Sequence, residues 1–557
     1  MSDLKLMVLA AREALKKEQP NTAEIFYRLI IRDTTPPVSG LARVAHGEAC
    51  AYFARLELAY SKYGTAADWY RQAINADPRA IDYIVDFCTK CLVPMGLFKE
   101  ARFEAERATK IEPDNPAGWR TLAGIEHKLG NVEESIAAYD KHSELAADKV
   151  NAALDRSTIA LDTADYDNVK KLVTPLLETN RKGDACHVLA MANYREGFHE
   201  KAIELYDLAI ENKCFDVPLA HWNKSLSLHS IGRYKEGWAA HEYRGKQKID
   251  RTMAFIMNRF DNPIWDGKSR AETEPTKLHI HQEMGSGDCL VMSRYAPILA
   301  DLGYDVRMEI NDSFVSLFQR SFPNVNVMAK AVNYPQAMGI PGFDYHIPMM
   351  SLPHLMGTDI DSVPWSGPYL KPDPELVEQY RHKIGTGRIG LCWSSGIRYD
   401  GIWMTEYGKR NSMRFDQLRL LFPIGGPIGR SPFVSLQVGP ELAEWPWAYG
   451  NVLPKKPTWD DTAALIANLD LVITVDTAVA HLAGAMGKPV WLMMQKDGSS
   501  WHWMCERPNA SWNTKSPWYP SVRIFRQHEF NKPHYWDDVV ADVAKALNQE
   551  SIQIAAE

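Results

Sequence analysis

Nothing in this 557-residue chain approaches the run of about twenty apolar residues that a membrane-spanning helix requires. Cysteine is scarce: eight residues over such a length do not make a disulfide framework. Cys88 and Cys91 form the lone CxxC, without a second ligand pair for zinc, and read as buried helix residues. A basic excess is also missing. The net charge of −7 does not suggest a nucleic-acid surface overall. The opening segment MSDLKLMVLAAREALKK lacks the long apolar core of a signal peptide and reads as an amphipathic helix, so a cytoplasmic protein is expected. What remains is ordinary soluble composition, 45% hydrophobic and 24% charged, enough for two or three domains. Tryptophan is dense near the end (Trp491, Trp501, Trp503, Trp512, Trp518); such rings stack on sugars and bases but also fill cores, so they decide little alone.

Up to about residue 248 the pattern is helical, with a unit recurring near every 34 residues. One unit carries Ala66, Tyr70, Ala73 and Pro78; the next Ala101, Ala105, Ala108 and Pro113; later units carry Trp119, Gly130 and Tyr139, then Ala190, Gly197, Ala202, Tyr206 and Ala209, then Trp222, Gly232 and Trp238. Small residues let paired helices approach, and the glycines suit the turn between them. These segments resemble the tetratricopeptide repeat. The resemblance implies a stacked superhelix over 1–248 whose concave face holds a protein or peptide. A spacer or a homo-oligomer surface is the alternative.

After a turn-rich linker, 249–275, the pattern becomes α/β. Lys277–His281 reads as a strand, followed by Gly285-Ser286-Gly287-Asp288 and a helix over 289–302, then a strand over 305–310. The turn is not a dinucleotide fingerprint, lacking the third glycine and the distant acid. Its glycines Gly285 and Gly287 allow close approach of a ligand to the backbone. Asp288 can take a proton from a hydroxyl or simply cap the helix. A second set begins near Arg388: a strand ending in the small-residue turn Ser394-Ser395-Gly396, a loop carrying Lys409 and Arg410 before a helix at 415–421, and a strand ending at Gln437. The strand Leu471–Val475 then runs into Asp476-Thr477-Ala478, where a helix carrying His481 begins. A helix N-terminus at the carboxyl end of a strand suits a phosphate, though an Asp-Thr pair there is also an ordinary cap. Two Rossmann-like lobes are expected, 276–382 and 383–557, with a cleft between them.

The strings HQEMGSGDCLVMSRYAPILADLGYDV, CWSSG, GKRNSM, SLQ, DTAVAHLAGAMGKPVW and WHWMCERPNASWNTKSPWYPSVRIFRQ occur in this order. Together they resemble bacterial tetratricopeptide-repeat glycosyltransferases of the GT-B fold. The C-terminal part is similar to the ADP-heptose heptosyltransferases, and the layout to O-GlcNAc transferase and flagellin glycosyltransferases. The resemblance implies an all-α repeat superhelix followed by an α/β GT-B pair of lobes. It also implies Asp288 as general base, Asp476 and His481 at the donor sugar and diphosphate, and backbone N–H groups of Thr477 and Ala478 on the phosphates. Lys409 or Arg410 would neutralise the leaving diphosphate, with Gln437 at the nucleotide. Two departures stand out: the insert Arg398 to Gly408 lengthens the basic loop, and the first turn reads EMGSGD where EQGLGD is the usual form.

The implied activity is inverting transfer from a nucleotide sugar to a protein acceptor, without a metal or other cofactor. Asp359-Ile360-Asp361 is formally a metal–diphosphate DxD, set in a proline-rich loop. A transferase acting on a cell-surface glycan and a non-catalytic repeat scaffold are the alternatives. ADP, UDP, GDP and CMP donors are all compatible with these residues.

Overall fold

A computed structural model describes residues 2–35, 40–248, 252–257, 259–271, 275–330, 342–396, 402–422, 432–447, 449–496, 500–505, 514–529 and 535–554. The first part is a succession of antiparallel helix pairs. These are α1–α2 (Ser2–Lys16, Pro20–Thr34), α3–α4 (Gly40–Ala59, Tyr63–Ala76), α5–α6 (Ile81–Phe87, Phe98–Ile111), α7–α8 (Pro116–Leu129, Val132–Leu145), α11–α12 (Lys182–Arg195, His199–Glu211) and α13–α14 (Val217–Ser230, Tyr234–His241), with α9 (Lys149–Asp162) packed on α8 and α10 (Tyr166–Val173) following it in the chain. First helices begin at Ile81, Pro116, Lys149, Lys182 and Val217, a step of 33 to 35 residues, which is the sequence period. Ala66, Ala73, Ala101, Ala105, Ala108, Ala190, Ala202 and Ala209 are fully buried. A methyl group there leaves room for a neighbouring helix, whereas a longer side chain would hold it off. Gly130, Gly197 and Gly232 adopt φ of +83°, +84° and +82°, the left-handed turn between paired helices that only glycine enters without cost.

Two compact units are formed. One comprises Met1–Asn168 with Tyr399–Thr405; the other Val169–Arg398 with Glu406–Glu557. In the first, the cores are alanine-rich and local to neighbouring pairs. Cys88 and Cys91 are fully buried there, and burial pushes their thiols up to about 12 and about 11, so neither offers a thiolate. Ile402, from the insert in the basic loop, is buried in this unit in one cluster with Ala123, Tyr139 and Ile159.

The second unit carries two parallel sheets. In the first sheet β1 (Lys277–His281), β2 (Asp305–Ile310), β3 (Asn326–Ala329) and β4 (Tyr345–Pro348) lie in the order β3-β2-β1-β4. In the second, β5 (Ile389–Cys392), β6 (Phe433–Ser435), β7 (Leu471–Val475), β8 (Val490–Met494) and β9 (Val522–Arg526) lie in the order β6-β5-β7-β8-β9. Fully buried strands such as Val490–Met494 read as unbroken apolar runs because helices cover both faces. The remaining helices are α15 (Thr252–Met257), α16 (Ser286–Met292), α17 (Tyr295–Asp301), α18 (Val315–Ser321), α19 (Leu352–Leu355), α20 (Pro374–Ile384), α21 (Ile402–Arg410), α22 (Trp459–Ala467), α23 (Ala478–Ala485) and α24 (Asp537–Ile554).

Three elements differ from the sequence reading, the first being the helix expected over 415–421, which is a 3-10 helix, Phe415–Leu421. The helix expected over 289–302 is two, α16 and α17, broken at Ser293–Arg294. At the break the Arg294 side chain donates to the nearby Val291 carbonyl and to the distant carbonyls of Pro364 and Trp518. Lys409 and Arg410, expected in a loop, form the last turn of α21, where cations complement the helix dipole.

One core joins both sheets to the last repeat: Tyr234 and Trp238 of α14 share a cluster with Leu278, Val472 and Trp518. Arg244, fully buried just beyond α14, holds Glu283 through Nε at 3.0 Å and a terminal nitrogen at 2.8 Å, and reaches Glu242 and Ser351 at 2.8 and 2.7 Å. Among the described residues, no helix is long and apolar enough to cross a membrane.

Candidate active site

In an open parallel sheet, ligands sit outside the carboxyl ends of the strands where strand order reverses. The first sheet reverses at β1, flanked by β2 and β4; the second reverses between β5 and β7. The Gly285–Asp288 turn follows β1, the Ser394–Gly396 turn follows β5, and Asp476-Thr477 follows β7. Three stretches singled out in the sequence therefore stand at switch points.

Asp288 occupies the first turn of α16. Its Oδ2 accepts the Gly285 N–H at 3.2 Å, and its Oδ1 lies 3.1 Å from Nε2 of His502. It thus caps its helix and still presents a partly exposed carboxylate. Gly287 cannot carry a side chain without movement: a Cβ there would stand 2.9 Å from the His481 ring. That close approach brings the start of α16 against α23.

Asp476 accepts a hydrogen bond from Trp503 Nε1 at 2.7 Å. Burial raises its pKa above the ordinary carboxylate value, against the Trp503 bond and His502, and Asp288 raises it further. Thr477 caps α23 in extended geometry, and its hydroxyl lies 3.1 Å from that of Thr474. Ala478 opens α23, whose first N–H groups have no intrahelical partner and point to the crevice end of β7. His481 is buried, stacked on Trp503 with centroids 4.6 Å apart, and its Nδ1 is 3.3 Å from the Tyr519 hydroxyl. Burial, with His502 and Arg294 nearby, holds its pKa well below the usual value, so the ring is neutral at pH 7.

The Ser394–Gly396 turn is braced from two sides. Gln437 Oε1 accepts the N–H groups of Trp393 and Ser394 at 3.1 and 2.9 Å, while its Nε2 donates to Ser394 and Val438 carbonyls. The Gln437 amide is thus spent on the backbone and shapes the turn. Ser412 Oγ takes the Ser394 hydroxyl at 2.9 Å and the Ser395 N–H at 3.1 Å. Beside this turn lies a cavity of about 240 Å³ bordered by Ser394, Lys409, Ser412, Arg414, Glu441 and Glu444. Lys409 is paired with Glu406 at 2.8 Å and half exposed, whereas Arg410 is buried. Glu444 accepts the Trp393 indole and the Phe415 N–H; Glu441 keeps one buried oxygen without a partner.

Asp288, Asp476 and His481 are therefore brought together, while Ser394 and Lys409 border the cavity beside the second turn, and Gln437 and Ser395 take part in the hydrogen bonds that shape that turn. A larger cavity of about 590 Å³ lies along β9 and α24 with Lys496, Arg523 and Lys545 on its wall; it sits at the sheet edge, off the switch points. Asp359, of the formal DxD, caps the short turn Ile360–Ser362 and pairs with Lys235 at 3.2 Å. Sequence reasoning gave no role to His502, Trp503, Glu441 and Tyr407, and noted Ser412 only as part of the GKRNSM loop. Burial raises the Tyr407 phenol, with Asp476 and Tyr194 adding to it. Only the tail string WHW carried a sign of the first two.

Residues 440–492 match the family model described as glycosyltransferase family 9 (heptosyltransferase), a span holding β7, the Asp476 turn and α23. Protein FlbA of Caulobacter vibrioides is 26% identical over 466 residues, covering 79% of this chain and 68% of FlbA. A tetratricopeptide repeat protein from Parabacteroides merdae covers 46% of this chain and 98% of its own at 12% identity, with a TM-score of 0.39. YrrB, a TPR protein with an unusual peptide-binding site, covers 34% of this chain and 92% of its own at 18% identity, with a TM-score of 0.27. The chain is a heptosyltransferase-like glycosyltransferase that carries tetratricopeptide-type repeats.

Proposed function

We propose that this glycosyltransferase moves a sugar from a nucleotide-sugar donor to a hydroxyl of a protein held by the repeats, without a metal ion and with inversion at the anomeric carbon. The observation that carries the reading is the approach of α16 to α23 at Gly287 and His481, with Asp288 on one side and Asp476 on the other. Asp288 takes the proton of the acceptor hydroxyl, and the oxygen attacks the anomeric carbon from the face opposite the diphosphate. The bond to the diphosphate oxygen breaks. The developing charge meets the Thr477 and Ala478 N–H groups, the positive end of α23 and Lys409. Neutral His481 offers the sugar or diphosphate a hydrogen bond without adding charge. The unpartnered Glu441 oxygen suits ribose hydroxyls at the cavity beside the Ser394 turn. The protein acceptor rests on the repeat array, and inversion on attack by a single displacement.

A thermal-shift screen against ADP-, UDP-, GDP- and CMP-sugars and the free nucleotides tests the donor side, because a ligand of the folded state raises the melting temperature. A clear rise with one base is expected. No rise with any of them contradicts the reading and favours a scaffold.

A further inference from the structure

We infer that His502 is a positioning residue for Asp288, required for turnover and not for donor binding; this rests on the reading of Asp288 as the base. The Asp288 carboxylate has one oxygen committed to the Gly285 N–H at 3.2 Å, and its other oxygen faces His502 Nε2 at 3.1 Å. At that distance the pair does not meet hydrogen-bond geometry, and buried Nε2 makes no hydrogen bond among the described residues. Catalytic contacts that are loose without ligand commonly tighten when it binds. The imidazole is itself held in place. Its Nδ1 is 2.7 Å from Ser500 Oγ, its face stacks on Trp501 with centroids 3.7 Å apart, and the His481 ring meets it edge-on at 4.8 Å. We take the Ser500 hydroxyl as donor to Nδ1, which leaves the proton on Nε2, the nitrogen nearer Asp288.

The groups facing His502 are Asp288 on α16, Asp476 after β7, His481 on α23, and His229 and His241 of the last repeat. Burial keeps those three histidines neutral, with Arg294 beside His481 and Arg244 beside His241, so among the groups named as facing the ring the charge is that of the two carboxylates. A donor at Nε2 offsets their repulsion and fixes the plane of the Asp288 carboxylate, so that its free lone pair meets the acceptor hydroxyl. In the step, the acceptor O–H proton passes to Asp288, the acceptor oxygen bonds to the anomeric carbon, and the diphosphate leaves with the bonding pair. His502 gains and loses nothing.

The test uses the full chain, water as acceptor, and release of nucleotide from UDP-N-acetylglucosamine, GDP-mannose, ADP-glucose and CMP-N-acetylneuraminate. His502→Gln is expected to lower kcat by about tenfold to a hundredfold, as loss of an outer partner commonly does, and to leave the donor KM within about twofold. In an Asp288→Asn background the same change is expected to do nothing further, because the two residues act as one unit. A kcat within about twofold of wild type, or an equal loss in both backgrounds, overturns the inference alone. Wild-type turnover by Asp288→Asn, or no release from any donor by the wild type, overturns the reading of Asp288 and this inference with it. If His502→Gln lowers the melting temperature, Ser500→Ala carries the same test with the imidazole retained. It is expected to lower kcat and not KM, and unchanged kcat overturns the inference.

Discussion

Asp288 and His481 lie against one another through Gly287 and divide the labour differently. Asp288→Ala is expected to abolish transfer while donor affinity stays within about twofold, as the proposed role of the carboxylate as base requires. Wild-type turnover would make Asp288 a cap and nothing more. His481→Ala is expected to weaken nucleoside diphosphate binding about tenfold, or ~1.4 kcal/mol, read by calorimetry; unchanged affinity removes His481 from the site. At this scale much was legible. Asp476, His481 and Asp288 were visible because glycines and a strand-to-helix turn mark where a backbone meets a ligand. His502 was not, because its partner lies far away in the chain and no local spacing links them. Gln437 was found at the right strand end, yet its amide is spent on the Trp393–Ser394 backbone, a role that only coordinates reveal.

The meeting of α16 and α23 is set by a missing side chain. Gly287→Val is expected to drive the His481 ring off its place, weakening nucleotide binding and costing about 1 to 3 kcal/mol of stability in urea unfolding. A variant with wild-type affinity would show that the ring's position does not matter. The helix break at Ser293–Arg294 and the helical turn carrying Lys409 were not legible. In the first, the Arg294 side chain meets carbonyls far away in the chain, which no local pattern signals. In the second, an insert without strong apolar periodicity gains helical structure that composition alone did not signal. The repeat period, by contrast, was plain, because the same small and aromatic positions recur near every 34 residues.

The whole second unit depends on contacts from the last repeat, beyond what a boundary at residue 248 suggests. Arg244 and Glu283 have side chains with no exposure, so Arg244→Ala leaves a buried carboxylate uncompensated and is expected to cost about 3 to 5 kcal/mol. A loss under about 1 kcal/mol in urea unfolding would contradict this. For the same reason, removing residues 1–248 is expected to destroy donor binding, because Tyr234, Trp238 and Arg244 go with it. Removing 1–145 leaves those contacts and is expected to spare it. Buried histidines set the acid limit. His229 is held down to about 3 and His346 to about 4 by burial, and His241, His281 and His481 lie well below the usual value. Unfolded histidines take up protons below about pH 6.5 while these do not, so stability is full above that pH. It falls by up to about 1.4 kcal/mol per pH unit for each group as the pH drops toward 4. Melting temperatures at pH 7.5, 6.0 and 5.0 should fall in that order; a flat series contradicts the neutral, buried state of these rings.

If donor and base meet where α16 touches α23, removing the base must leave donor binding intact and stop turnover. Wild type and Asp288→Asn are each titrated with the nucleotide sugar that raises the melting temperature, and nucleotide release is then followed in the same samples. The account requires equal donor affinity in the two proteins and release by the wild type alone. Equal release by both proteins would contradict it.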